Sequence, residues 1–116
     1  MKHLDEFDIK QLYNTCWKHY GSESQIDVAI EEMAELTQAL IKSRRLGYPK
    51  FSSSGAVIEE IADVTICLEQ LMLRLEIDDK LDEYKTVKED KQMRLKKRLL
   101  ESLSHRYPQE VTGMLP

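Results

Sequence analysis

A chain of 116 residues has the length of one domain, and its 41% hydrophobic share supports one modest core. A net charge of −4, with 33% of residues charged, gives the protein as a whole no electrostatic reason to seek nucleic acid or an anionic membrane. No run approaches the roughly 18 apolar residues that a membrane span needs, and at this size pairing with a second copy is a natural way to hide more surface.

The N-terminus reads Met1-Lys2-His3-Leu4-Asp5-Glu6, charged from the start and without the apolar segment of a secretory signal. A cytoplasmic protein is expected, with Cys16 and Cys67 as reduced, packed thiols, because each sits in a helical pattern and they form no C-x-x-C pair. A first helix is predicted over Asp5 to Tyr20, with an apolar side of Ile9, Leu12, Tyr13, Cys16 and Tyr20. Gly21 ends it as a C-terminal cap, since glycine takes up the left-handed conformation without penalty. Ser22 with Gln25 reads as a capping box that opens a second helix. Ile26, Ile30, Met33, Thr37, Leu40 and Ile41 then recur at spacings of three and four.

Leu46 to Gly55 is the clear loop. A third helix, about Ala56 to Glu76, is apolar on nearly every side, and such a helix is expected to be buried all round. Asp78 or Asp79 caps a fourth, running from about Asp79 to Leu103. Residues 104–116, with two prolines and a glycine, form an irregular tail to a single helical domain of residues 1–103. No strand-like alternation or internal repeat is present. The expected architecture is all-α, a bundle of four to five helices with the apolar third helix at its centre.

Two acidic pairs stand out against this pattern. Helix 2 contains AIEEMAELTQALIK and helix 3 contains VIEEIADVTICLEQL, with Glu32-x-x-Glu35 in the first and Glu60-x-x-Asp63 in the second. Residues three apart are neighbours on one helix face, so each pair presents two carboxylates side by side. Glutamates at this spacing also occur on solvated faces. Glu60 and Asp63, however, lie in the most apolar helix of the chain, where unpaired carboxylates are costly to bury. Four carboxylates around one volume repel each other unless a divalent cation joins them. A donor set without cysteine or histidine suits magnesium, manganese or calcium rather than zinc. Magnesium is favoured, with manganese as a substitute, because it takes a few carboxylates and completes its shell with water and phosphate oxygens. A di-iron site is disfavoured because no histidine follows a glutamate at i+3, and no G-x-x-x-x-G-K phosphate loop is present.

YGSESQIDVAIEEMAEL followed by VIEEIADV resembles the all-α nucleoside triphosphate pyrophosphohydrolases of the MazG-like superfamily, which also includes dimeric dUTPases. The resemblance covers about Tyr13 to Leu99. It matches the family's E-x-x-E and E-x-x-D motifs at Glu32/Glu35 and Glu60/Asp63, including the doubled acids Glu31-Glu32 and Glu59-Glu60. It implies that these four acids bind magnesium, that the metal holds a triphosphate and activates water near the α-phosphorus, and that the products are a nucleoside monophosphate and pyrophosphate. It does not indicate which base is read. DKQMRLKKRL resembles the basic stretch that approaches the phosphates in such proteins, with Lys91, Arg94 and Arg98 on one helix face. Family members often carry an asparagine near this stretch, where Asp90 stands here.

Glu31, one turn from Glu35, is a candidate to orient water beside the catalytic acids Glu32 and Glu35. Trp17 is a candidate to stack on a base, and Gln25 to hydrogen-bond its edge; the rival roles are a core anchor and a capping partner. The expected protein is a magnesium-dependent nucleotide pyrophosphohydrolase acting in nucleotide-pool housecleaning, a homodimer or homotetramer that binds neither nucleic acid nor membrane. The alternative is a non-enzymatic helical module that binds a nucleotide or a partner chain through helix 3. The stretch from Lys85 to Arg98 lacks interleaved aromatics, which disfavours single-strand RNA recognition by stacking.

Overall fold

The computed structural model describes residues 3–106 of the chain. They form four α-helices, α1 (Glu6–Tyr20), α2 (Ser22–Arg45), α3 (Gly55–Ile77) and α4 (Leu81–Arg106), with a single 3-10 turn at Phe51–Ser53 and no strand among the described residues. The all-α class expected from the sequence is therefore observed. None of these helices is long and apolar enough to cross a membrane. The chain divides into two units, Met1–Ile77 and Asp78–Pro116.

In the first unit, α1 opens at Asp5, whose side chain accepts a hydrogen bond from the Asp8 N–H at 2.8 Å. Glu6 and Asp8 in its first turn complement the helix dipole. Gly21 ends α1 and begins α2 at once. At φ 91° and ψ 151° it occupies a region that only glycine adopts readily, and its N–H donates to the Trp17 carbonyl at 3.0 Å. This shared cap overturns the expected capping box. With no spacer between the helices, Ser22 is already the first residue of α2, and the cap position belongs to Gly21, which has no side chain to donate or accept. Gln25 instead donates its backbone N–H to the Gly21 carbonyl at 3.1 Å.

The connection from α2 to α3 turns through Gly47, at φ 72°, and then through the 3-10 turn. Ser54 starts α3 as its side-chain cap, with Oγ accepting from the Val57 N–H at 3.3 Å. α2 and α3 pack along each other as the principal contact of the unit, and α1 contacts both. Ala29 and Val57 are the buried apolar residues of this packing. The expectation that α3 is buried all round does not hold for the single chain. Ile58, Ile61, Ile66 and Leu68 remain 40–57% exposed. A helix has more circumference than two neighbours packed on one side can cover, so part of its apolar surface stays in water.

In the second unit, α4 begins at Leu81 rather than at the expected Asp79. Asp79 lies at φ 58°, a left-handed conformation that the short polar side chain of aspartate tolerates, so it turns the chain instead of capping the helix. The first i+4 bond runs from the Tyr84 N–H to the Lys80 carbonyl at 3.1 Å. α4 also continues through Ser104–Arg106, which were expected to be irregular, while the rest of the expected tail, 107–116, lies outside the described residues.

Candidate metal centre

The packing of α2 on α3 brings the two acidic motifs together. One carboxylate oxygen from each of Glu32, Glu60 and Asp63 lies within 4.8 Å of the others. Glu32 and Glu60 are half-buried, whereas Asp63 is exposed. Helical geometry accounts for the arrangement: Glu60 and Asp63 share one face of α3, and the opposing face of α2 brings Glu32 to it. Oε2 of Glu32 and Oε2 of Glu60 are both buried without a hydrogen-bond partner. Two orphaned carboxylate oxygens in one cluster are costly unless something positive or protonated answers them.

The electrostatics agree with the geometry. Desolvation, then the charges of Glu35, Asp63 and Glu60, push the Glu32 carboxyl from 4.5 up to about 7. Desolvation, then the charges of Glu35 and Asp63, raise the Glu60 carboxyl as well. Glu35 therefore belongs to the electrostatic cluster, although it is exposed and its oxygens fall outside the tight group of three. An all-carboxylate set with free lone pairs fits a hard divalent cation such as magnesium or manganese, and Glu32, Glu60 and Asp63 bring together the oxygens that could hold it.

The remaining candidates are distributed differently. Glu31 is exposed on α2 and does not join the carboxylate group, because adjacent helical residues point in different directions. Gln25 is half-buried near the start of α2. Trp17 is half-buried on α1, and the Arg74 guanidinium lies over its ring at 4.8 Å from the centroid. Lys91, Arg94 and Arg98 are exposed in the second unit, on one surface of α4 together with Lys97 and Glu101. Both cysteines are free, as expected. Cys67 sits one helical turn beyond Asp63, and burial followed by the charges of Glu32 and Asp63 raises its thiol pKa.

Three polar groups that the sequence reading passed over lie between α1 and α3. Tyr13 donates its hydroxyl to Glu69 at 2.8 Å, and Lys10 pairs with Glu76 at 3.5 Å. Desolvation and the Glu69 carboxylate push the Tyr13 phenol up to about 12. The third group is Arg74. A lone arginine inside the apolar run Leu71-Met72-Leu73-Arg74-Leu75 was the available signal, because burying a charge there requires a partner.

No family model matches the chain, and no curated protein or solved structure matches it.

Proposed function

We propose that the protein is a magnesium-dependent nucleoside triphosphate pyrophosphohydrolase of the MazG-like kind. The observation that carries this reading is the convergence of Glu32, Glu60 and Asp63 within 4.8 Å, with two of their oxygens buried and unpartnered. A bound magnesium ion would supply a positive charge for phosphate oxygens and a more acidic water. The chain's own contribution is to hold four carboxylates close, with Glu32 and Glu60 partly withdrawn from solvent and Glu35 and Asp63 on the open side. A cation held by these carboxylates would be reached by phosphate oxygens from the exposed side, where Glu35 and Asp63 lie.

The test is a panel of nucleoside triphosphates incubated with pure protein and magnesium, with the phosphorus products identified. Pyrophosphate and a monophosphate are expected in equal amounts. Orthophosphate as the direct product would remove this reaction class, and no turnover on any triphosphate would favour the non-enzymatic binding module.

Self-association belongs to the same proposal. Ile26, Ile30, Met33 and Ile41 on α2 are 42–56% exposed, and the exposed isoleucines of α3 add to them. Isolated apolar side chains on a surface are ordinary, but rows at helical spacing on two packed helices favour a covering partner, and a symmetric second copy is the commonest one. A dimer or tetramer at micromolar concentration is expected in light scattering. Replacing Ile30 and Ile58 together by glutamate is expected to yield the monomer. A parent protein that is already monomeric would contradict the proposal.

A further inference from the structure

Arg74 raises a question that the acidic cluster does not answer. Its Nε is buried and has no hydrogen-bond partner, and among the described residues no carboxylate lies within ion-pair distance of it. Trp17 attracts the guanidinium charge through its ring face at 4.8 Å, but a π-face offers no conventional lone pair to the buried N–H. The group is thus held in place with a donor to spare. Arg74 lies eleven residues beyond Asp63 on α3. Eleven residues return a helix to within about 20° of the same face, and the axial rise between the two is about 16 Å. Helical side chains lean toward the N-terminus, so the long Arg74 side chain leans back toward the carboxylates. A nucleoside triphosphate whose phosphates lie at the acidic end of this face would extend its base toward the Arg74 end.

We infer that Arg74, braced by Trp17, is the specificity-determining donor of a base subsite, and that it selects purine nucleotides carrying a carbonyl at position 6 over adenine nucleotides. The inference rests on the proposed triphosphate reaction for its context. The chemistry is that of the guanidinium fork: two N–H donors match the adjacent O6 and N7 acceptors of guanine or hypoxanthine. Adenine presents an amino group at position 6, so one N–H would face another and the buried donor would stay unpaired. A lysine cannot replace the fork, because its ammonium lacks the planar pair of donors.

Inosine triphosphate and ATP differ at this edge and serve as the probes. The parent is expected to favour inosine triphosphate over ATP in kcat/KM by about tenfold or more. Arg74→Met and Arg74→Lys are both expected to bring that ratio close to one, mainly by raising the KM for inosine triphosphate. If Arg74 only packs against Trp17, both substrates will suffer alike and the ratio will persist, which overturns the inference. A parent without preference also overturns it, as does an Arg74→Lys variant that keeps the full ratio. Trp17 is the only tryptophan in the chain, so its fluorescence reports on this contact without any variant. Titration of the parent in magnesium should show Trp17 responding to inosine triphosphate at lower concentration than to ATP; equal responses overturn the inference. A parent that binds selectively by fluorescence yet hydrolyses neither nucleotide would remove the proposed reaction and leave the Arg74 subsite standing.

Discussion

Metal-free Glu60→Gln protein is expected to melt at a higher temperature than its parent, while its pyrophosphate release in magnesium falls by about a hundredfold or more. Both effects follow from one feature. Glu60 contributes a buried, unpartnered oxygen to a cluster in which the charges of Glu35 and Asp63 already oppose its ionisation. Glutamine keeps the size of the side chain, removes one charge from the cluster and introduces an amide that can donate to a neighbouring carboxylate. The metal-free protein thereby loses stored repulsion. The same change removes an anionic ligand of the proposed cation. Paired thermal melts and product assays check the two halves. If Glu60 were an ordinary surface residue, stability would change by no more than about 0.5 kcal/mol and activity would persist. Unchanged turnover would remove Glu60 from the site.

The second large effect is a dependence of metal-free stability on pH that runs opposite to ordinary acid denaturation. The folded protein holds the Glu32 carboxyl at about 7, against 4.5 as its ordinary value. Between those values the native state keeps a proton that the unfolded chain releases, so the slope of stability with pH is negative. The contribution of this group is fully present below about 4.5, declines as pH rises and is gone above about 7. Glu60, raised in the same direction, adds to the trend. Divalent cation competes with these protons, so its stabilisation is expected to grow across the same window. At a free magnesium concentration of about a hundred times its Kd, mass action adds about 2.7 kcal/mol. Calorimetry from pH 5 to pH 8, with magnesium and with chelator, measures both. Glu32→Gln isolates the group, and its metal-free melting temperature should fall less steeply with pH than that of the parent. Parallel profiles for the two proteins, with no response to magnesium, would show that the carboxylates do not form a cation site.

Much of this protein could be read along the chain because its signals are local. The period of the apolar residues gives α1, α2 and α3 to within a residue or two, and Gly21 marks the break between the first two helices. The i, i+3 spacing puts Glu60 and Asp63 on one face without any knowledge of the fold. Errors fell where a local rule depended on its surroundings. Ser22 has the composition of a cap, yet a glycine shared by two helices left it inside the second one. Asp79 likewise has the composition of a cap, but it serves the turn in a left-handed conformation.

What spacing determined was the pairing of acids within each helix, the helical class and the positions of the main breaks. The tertiary structure decided the rest. It brought Glu32 from α2 to Glu60 and Asp63 on α3, left Glu31 outside their group, and buried one oxygen on each of two glutamates without a partner. It also set Arg74 over Trp17 and left much of α3's apolar surface in water. The physical reason is that a repeat of 3.6 residues states which side chains share a face, whereas the neighbour of that face depends on how helices distant in sequence pack. Burial, and with it the raised carboxyl pKa values, arises only from that packing.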